Sequence, residues 1–151
     1  MEKTLPKRKR LPHEIPSWVE DGAVYYITVC ALPRHQNHLA KDDVSALIRT
    51  TMSFYQEKGR WWVHPVAVMP DHVHALMSFA CSPGMGRSIS DWKRYVAGRS
   101  AVDWQRGFFD HRLRKDESFD EKAAYIRMNP VRAGLVGRPE EWPYIWTSSY
   151  R

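Results

Sequence analysis

Cysteine is scarce. Cys30 and Cys81 are the only two in 151 residues, with no CxxC spacing. They read as free thiols of a reducing compartment, not as a disulfide framework or a zinc ribbon. No apolar run approaches the roughly 20 residues that cross a bilayer. No HExxH occurs, which removes the usual helical pattern of a zinc hydrolase. Internal repeats and long low-complexity segments are also missing. The opening KTLPKRKRLP has no hydrophobic stretch behind it, so it reads as a basic arm and not as a signal peptide. The expectation is a cytoplasmic chain with an arm over residues 1–22 and one domain over residues 23–151, the aromatic tail included.

What is present can build a core. The chain is 43% hydrophobic, with seven Trp and seven Tyr. Its 23 basic residues against 17 acidic ones give a net charge of +6, which points to a polyanion partner, nucleic acid before membrane. AVYYITVC (23–30) is β-branched and aromatic and predicts a strand. DDVSALIRTTMSFYQEKG then places Val44, Leu47, Ile48, Thr51 and Tyr55 at helical spacing, with Asp42 or Asp43 to cap the start and Gly59 to stop it. WWVHPVAVM (61–69) predicts a second strand in which Pro65 marks an edge or a bulge. A tight Pro70-Asp71 turn leads into a third, HVHALMSF, giving an antiparallel hairpin. CSPGMGRS reads as a loop, followed by a helix over about 89–102 with Ile89, Trp92 and Val96 on its apolar side. WQRGFFDHRLR reads as extended, and SFDEKAAYIRMNPVRAG as one last helix opened by a Ser118/Glu121 capping box. The tail RPEEWPYIWTSSYR is irregular. This order suggests an α+β fold, a ferredoxin-like (RRM-like) antiparallel sheet with packed helices.

The third strand carries an oddity. Side chains alternate along a strand, so Val73, Ala75, Met77 and Phe79 share an apolar face. His72 and His74 share the other. Two imidazoles at i,i+2 can present their nitrogens to one metal ion, although the same pattern also fits two unrelated polar residues on a half-exposed strand. On the last helix Phe119, Ala123, Ile126 and Pro130 fall in one stripe at about 100° per residue. Tyr125 and Asn129, four apart, lie on a neighbouring face. Tyr125 also fits a flanking core tyrosine, and Asn129 a helix cap before Pro130. Should that helix cross the His face, two imidazoles, an amide oxygen and a phenol would meet.

MPDHVHALM resembles the HUH motif, two metal-binding histidines separated by a hydrophobic residue. YIRMNPVRAGLV resembles the tyrosine helix of single-tyrosine transposases of the IS200 type. With WQRGFFDHRLR and the closing Trp-Pro and Ser-Ser-Tyr, the stretch from about Tyr25 to Tyr150 is similar to REP-associated tyrosine transposases, although WPYIWTSSY separates Trp-Pro from Ser-Ser-Tyr unusually far. The resemblance implies an HUH endonuclease fold that cuts single-stranded or hairpin DNA through a 5′-phosphotyrosine intermediate. Tyr125 would be the nucleophile, with His72, His74 and Asn129 binding Mg²⁺ or Mn²⁺. Arg87, Lys93, Arg94, Arg112, Arg114 and Arg132 are candidates for phosphate contacts. The chain would act as a monomer or a homodimer. A non-catalytic single-stranded nucleic-acid-binding module of the same fold is the alternative; exposed sheet aromatics would mark it, and here two histidines occupy that face. His64, His111 and Asp71 are left without a chosen role.

Overall fold

The computed structural model of the protein describes Pro16, Val19 and residues 22–148. The basic arm expected over residues 1–22 lies almost wholly outside the described residues, as do Ser149 and Tyr150. Ten elements position the site: β1 (Tyr25–Leu32), α1 (Asp42–Glu57), β2 (Trp61–Val68), β3 (His72–Phe79), α2 (Met85–Gly98), β4 (Asp103–Trp104), β5 (Phe109–Arg112), α3 (Phe119–Arg127), α4 (Asn129–Arg132) and β6 (Ile145–Trp146). The antiparallel sheet runs β4-β1-β3-β2-β6, and β5 also pairs with β1. Thus β4 and β5 share one edge of β1, at Ala31–Leu32 and Tyr25–Thr28 respectively. This is the α+β sandwich expected from the order of elements.

Alternation divides the sheet into two faces. Ile27, Val29, Val63, Val66, Val73, Ala75 and Met77 join Ile48 and Met52 of α1 and Ile89, Trp92 and Val96 of α2 in the main core. The buried indoles there are hydrogen-bonded: Trp61 Nε1 donates to the Met52 carbonyl (3.0 Å) and Trp92 Nε1 to Thr51 Oγ1 (2.9 Å). The opposite face is thinly covered. Val24, Ala67, Leu76 and Ile126 form a small second cluster, with Phe119 and Ala123 packed against it. Ile126 is fully buried, worth about 2–3 kcal/mol, and it fixes α3 across this face.

Local chemistry sets the ends of the elements. Gly59, at φ +70, closes α1 as the spacing predicts; the Arg60 N–H returns to the Tyr55 carbonyl (3.0 Å), a Schellman-type closure. The start differs from expectation: Lys41 holds the N-cap position without a side-chain bond, and the two aspartates sit inside the first turn, where they favour the helix dipole. Pro65 marks a bulge between Val63 and Val66, not an edge, because β2 is paired on both sides. α2 starts at Met85 and ends at Gly98, four residues ahead of the expected helix at both ends. Ser118 Oγ accepts the Glu121 N–H (3.1 Å) at the start of α3. The last helix is two pieces, α3 and α4, joined at Met128. Pro130 has no N–H for the Ile126 carbonyl, which breaks the ladder there. The tail is less irregular than expected: β6 extends the sheet, and Trp142 Nε1 donates to the Val68 carbonyl (3.0 Å).

Candidate active site

His72 and His74 project from β3 onto the thinly covered face, their ring centroids 4.5 Å apart. Each Nδ1 is engaged. His72 Nδ1 lies 2.7 Å from Asp71 Oδ1. The other oxygen of Asp71 accepts from Arg34 Nε and from the His35 N–H, both at 2.8 Å. His74 Nδ1 lies 2.9 Å from Thr28 Oγ1 on β1, its cross-strand neighbour. Burial alone pushes the Asp71 carboxyl up, but the bonds from Arg34, His35 and His72 outweigh it and hold the group below the carboxylate range. An ionised Asp71 makes Nδ1 of His72 the protonated nitrogen and leaves a lone pair on Nε2. Burial, then His72 and Arg132, lower His74 to about 3, so its imidazole is neutral at pH 7. Among the described residues neither Nε2 has a hydrogen-bond partner.

α3 brings Tyr125 over this face. Phe119, Ala123 and Ile126 turn to the sheet as their stripe predicts, while Tyr125 is 52% exposed. A row of rings links it to the histidines: Tyr125 meets Tyr26 edge-on at 6.4 Å, and Tyr26 meets His74 at 5.4 Å. The Arg132 guanidinium lies 3.6 Å from the centroid of the Tyr125 ring. Its Nη2 donates to the Tyr125 carbonyl (2.7 Å) and to Asn129 Oδ1 (3.2 Å). Asn129 Nδ2 is buried without a hydrogen-bond partner among the described residues. Burial and then Tyr125 push the Tyr26 phenol up to about 12 against the opposing pull of Arg132.

The other candidates are dispersed. Arg87 and Arg94 lie on α2, which packs on the opposite face, and both pair with Asp91 beside Arg60. Lys93 Nζ donates to the carbonyls of Gln105 (2.8 Å) and Gly107 (2.7 Å), pinning the β4–β5 loop. Arg112 alternates to the far side of β5 from His111, and Arg114 lies against Glu117. Only Arg132 of the six reaches Tyr125. His64 is a core residue, packed edge-on against Phe119 and 3.3 Å from Ser78 Oγ. Asp71 is both turn residue and partner to His72. His111 is bound by Glu117 at 3.0 Å. Thr28, Arg34 and Tyr26 went unnoticed in the sequence; the alternation of β1 opposite its apolar residues was the available signal for Thr28 and Tyr26. Among the described residues no three His, Cys, Asp or Glu side chains converge as a metal group.

No protein-family model matches the chain. A Haemophilus influenzae protein provisionally named a REP-associated tyrosine transposase is 25% identical over 142 residues, covering 82% of this chain and 78% of the relative. The REP-associated tyrosine transposase of Escherichia coli K12 is 26% identical over 83 residues, 51% of this chain and 48% of that relative. A solved structure of a REP-associated tyrosine transposase bound to a REP hairpin shares the fold, with a TM-score of 0.64 and 19% identity, covering 93% of this chain and 82% of that one. These relatives, and the fold held in common, support the family that the histidine pair and the tyrosine helix resemble, the REP-associated tyrosine transposases.

Proposed function

We propose that the protein cleaves and rejoins single-stranded DNA beside a hairpin, with Tyr125 as nucleophile. One observation carries this reading: two imidazoles with occupied Nδ1 and, among the described residues, unpartnered Nε2 stand one ring, that of Tyr26, from an exposed tyrosine that a guanidinium covers. The Tyr125 hydroxyl oxygen attacks the scissile phosphorus and gives up its proton. The bond from phosphorus to the 3′ oxygen breaks, and that oxygen takes a proton and leaves as a 3′-OH. The 5′-phosphate stays on Tyr125. One phosphodiester replaces another, so rejoining to a 3′-OH needs no nucleotide cofactor. A phenol hydroxyl is a weak nucleophile until its proton is lost, and Arg132 puts positive charge beside the forming phenolate.

The donor set fits a small divalent ion. His72 and His74 offer Nε2, and Asn129 offers its amide oxygen, which a half-turn would bring to the buried position of Nδ2 at the cost of the bond it now accepts from Arg132. Two nitrogens and one oxygen with positions left open suit Mg²⁺ or Mn²⁺. Bound there, the ion supplies Lewis-acid polarisation of the phosphate oxygens. The named hairpin of the structural neighbour and the net charge of +6 support hairpin DNA as partner.

The test is covalent trapping. Single-stranded hairpins from the protein's own genomic surroundings, labelled 3′ of the cut, are incubated with Mn²⁺. The wild type should yield an adduct stable to denaturing electrophoresis, and Tyr125→Phe should bind the DNA without forming one. An adduct mapped to Tyr55, Tyr95 or Tyr144 overturns the assignment of Tyr125. Binding without cleavage by the wild type supports a non-catalytic module.

A further inference from the structure

Beside Tyr125, away from the histidines, lies an open cleft of about 420 Å³ lined by Tyr26, Phe109, His111, Lys122 and Tyr125. We propose that this cleft is a nucleobase pocket holding an unpaired base that flanks the scissile phosphate, with Phe109 as its stacking surface and His111 at the base edge. The proposal rests on the reading of Tyr125 as nucleophile.

Four features converge on that occupant. Phe109 is 60% exposed, a large apolar ring on a strand where water-facing residues are expected, and it stacks on no other ring among the described residues. Its position is fixed by the sheet: Phe109 pairs with Thr28, and Thr28 with His74. It therefore lies two strands along the same row from the histidine pair, about 10 Å away. A nucleotide that flanks a phosphate at Tyr125 is within reach of β1 and β5, where this cleft is. Second, Tyr26 and Tyr125 add further aromatic wall, the chemistry that accepts any base by its π-face. Third, His111 is held rigid. Its Nε2 contacts both oxygens of Glu117 (3.0 and 3.2 Å), while Nδ1 has no partner among the described residues and is available to a base edge. Fourth, a cation stands where the backbone would pass: Arg132 covers Tyr125 and pairs with no carboxylate among the described residues, whereas Lys122 on the cleft wall is paired with Glu117 at 3.5 Å. A flat, polar-edged, π-faced group linked to an anion is the ligand these walls share.

The experiment scans abasic sites. A hairpin oligonucleotide with unpaired flanks is made with each base near the cut removed in turn, and binding is measured on the Tyr125→Phe protein with and without Phe109→Ala. One position should weaken binding on the order of 10-fold when abasic. With Phe109→Ala the intact oligonucleotide should lose a similar factor, and the abasic site should then add little. Phe109→Trp should restore both the affinity and the sensitivity. Equal abasic losses with and without Phe109, or intact binding by Phe109→Ala, overturns the pocket. Adduct formation by the otherwise wild-type protein is read in parallel. An adduct with no dependence on Phe109 rejects the pocket alone, whereas no adduct at all rejects the nucleophile on which it rests.

Discussion

Asp71→Asn changes a single atom and tests how the histidine pair is prepared. In the wild type one carboxylate oxygen takes the His72 N–H at 2.7 Å, and the other takes the donors of Arg34 and His35, each at 2.8 Å. An asparagine keeps one acceptor. Its oxygen does best facing the two fixed donors, since the amide NH₂ would otherwise oppose both of them. The NH₂ then faces His72 Nδ1, which must accept. That moves the imidazole proton to Nε2 and removes the lone pair a metal ion needs. Losing such an orienting partner costs about 10–100-fold in metal affinity or activity. The cost to the fold is smaller. Two charge-assisted bonds become neutral-acceptor bonds, about 1–2 kcal/mol in all, or roughly 2–8 °C in Tm for a chain of this length. Adduct formation titrated with Mn²⁺ should show the midpoint displaced upward by that factor, while a thermal melt shows a folded protein. An unchanged midpoint in a folded variant would refute the assignment of Asp71 as the group that sets His72.

The remaining expectations are simpler. His74→Ala should abolish the adduct with little change in fold, since His74 lies off the main core, and EDTA should reproduce the loss in the wild type; Asn129→Ala should cost less, and an adduct formed in EDTA removes the metal from the mechanism. Hairpin binding should weaken with salt by about 0.7 in log affinity per log salt for each single-strand phosphate contacted; a flat dependence, or equal affinity for a plain duplex, counts against the reading. The Glu117 carboxyl is held down to about 2 from 4.5 by the Arg114 N–H and then by His111. Its folded value is the lower one, so its stabilisation is complete above about 4.5 and is lost as pH falls through about 2. Acid unfolding should therefore show the gap between wild type and Glu117→Gln closing over that range, and a gap equal at pH 6 and pH 2 rejects the linkage.

Much of the site was legible because it is written in local periodicities. The two-residue period of β3 puts Val73, Ala75 and Met77 on one side and the histidines on the other, and the 3.6-residue period of α3 separates Ile126 from Tyr125. Contacts that depend on distant neighbours were not legible. Arg34 meets Asp71 across 37 positions, and nothing near either residue announces the other. β6 is two residues long and exists through its pairing with β2; WPYIW alone has no strand pattern. The early start of α2 takes Met85 to Ser88 out of the expected loop, Gly86 included, because Met85 packs against the core, while Pro83 and Gly84 stay outside the helix. Arg87 and Arg94 looked available in sequence; Asp91, four and three residues away, engages both.

The two layers on either side of the sheet differ in depth, and this separates the integrity of the domain from the mobility of its chemistry. Nine residues of α3 carry Tyr125, too few to be helical alone. They are held by a cluster whose buried members are Val24, Ala67, Leu76 and Ile126. Lifting α3 exposes that patch and leaves the indoles and aliphatic side chains between α1, α2 and the sheet in place. Such an opening costs a fraction of global unfolding. Any group joined to Tyr125 would therefore ride on a helix seated on this small patch, while the histidine-bearing strand is anchored through Val73, Ala75 and Met77 in the main core.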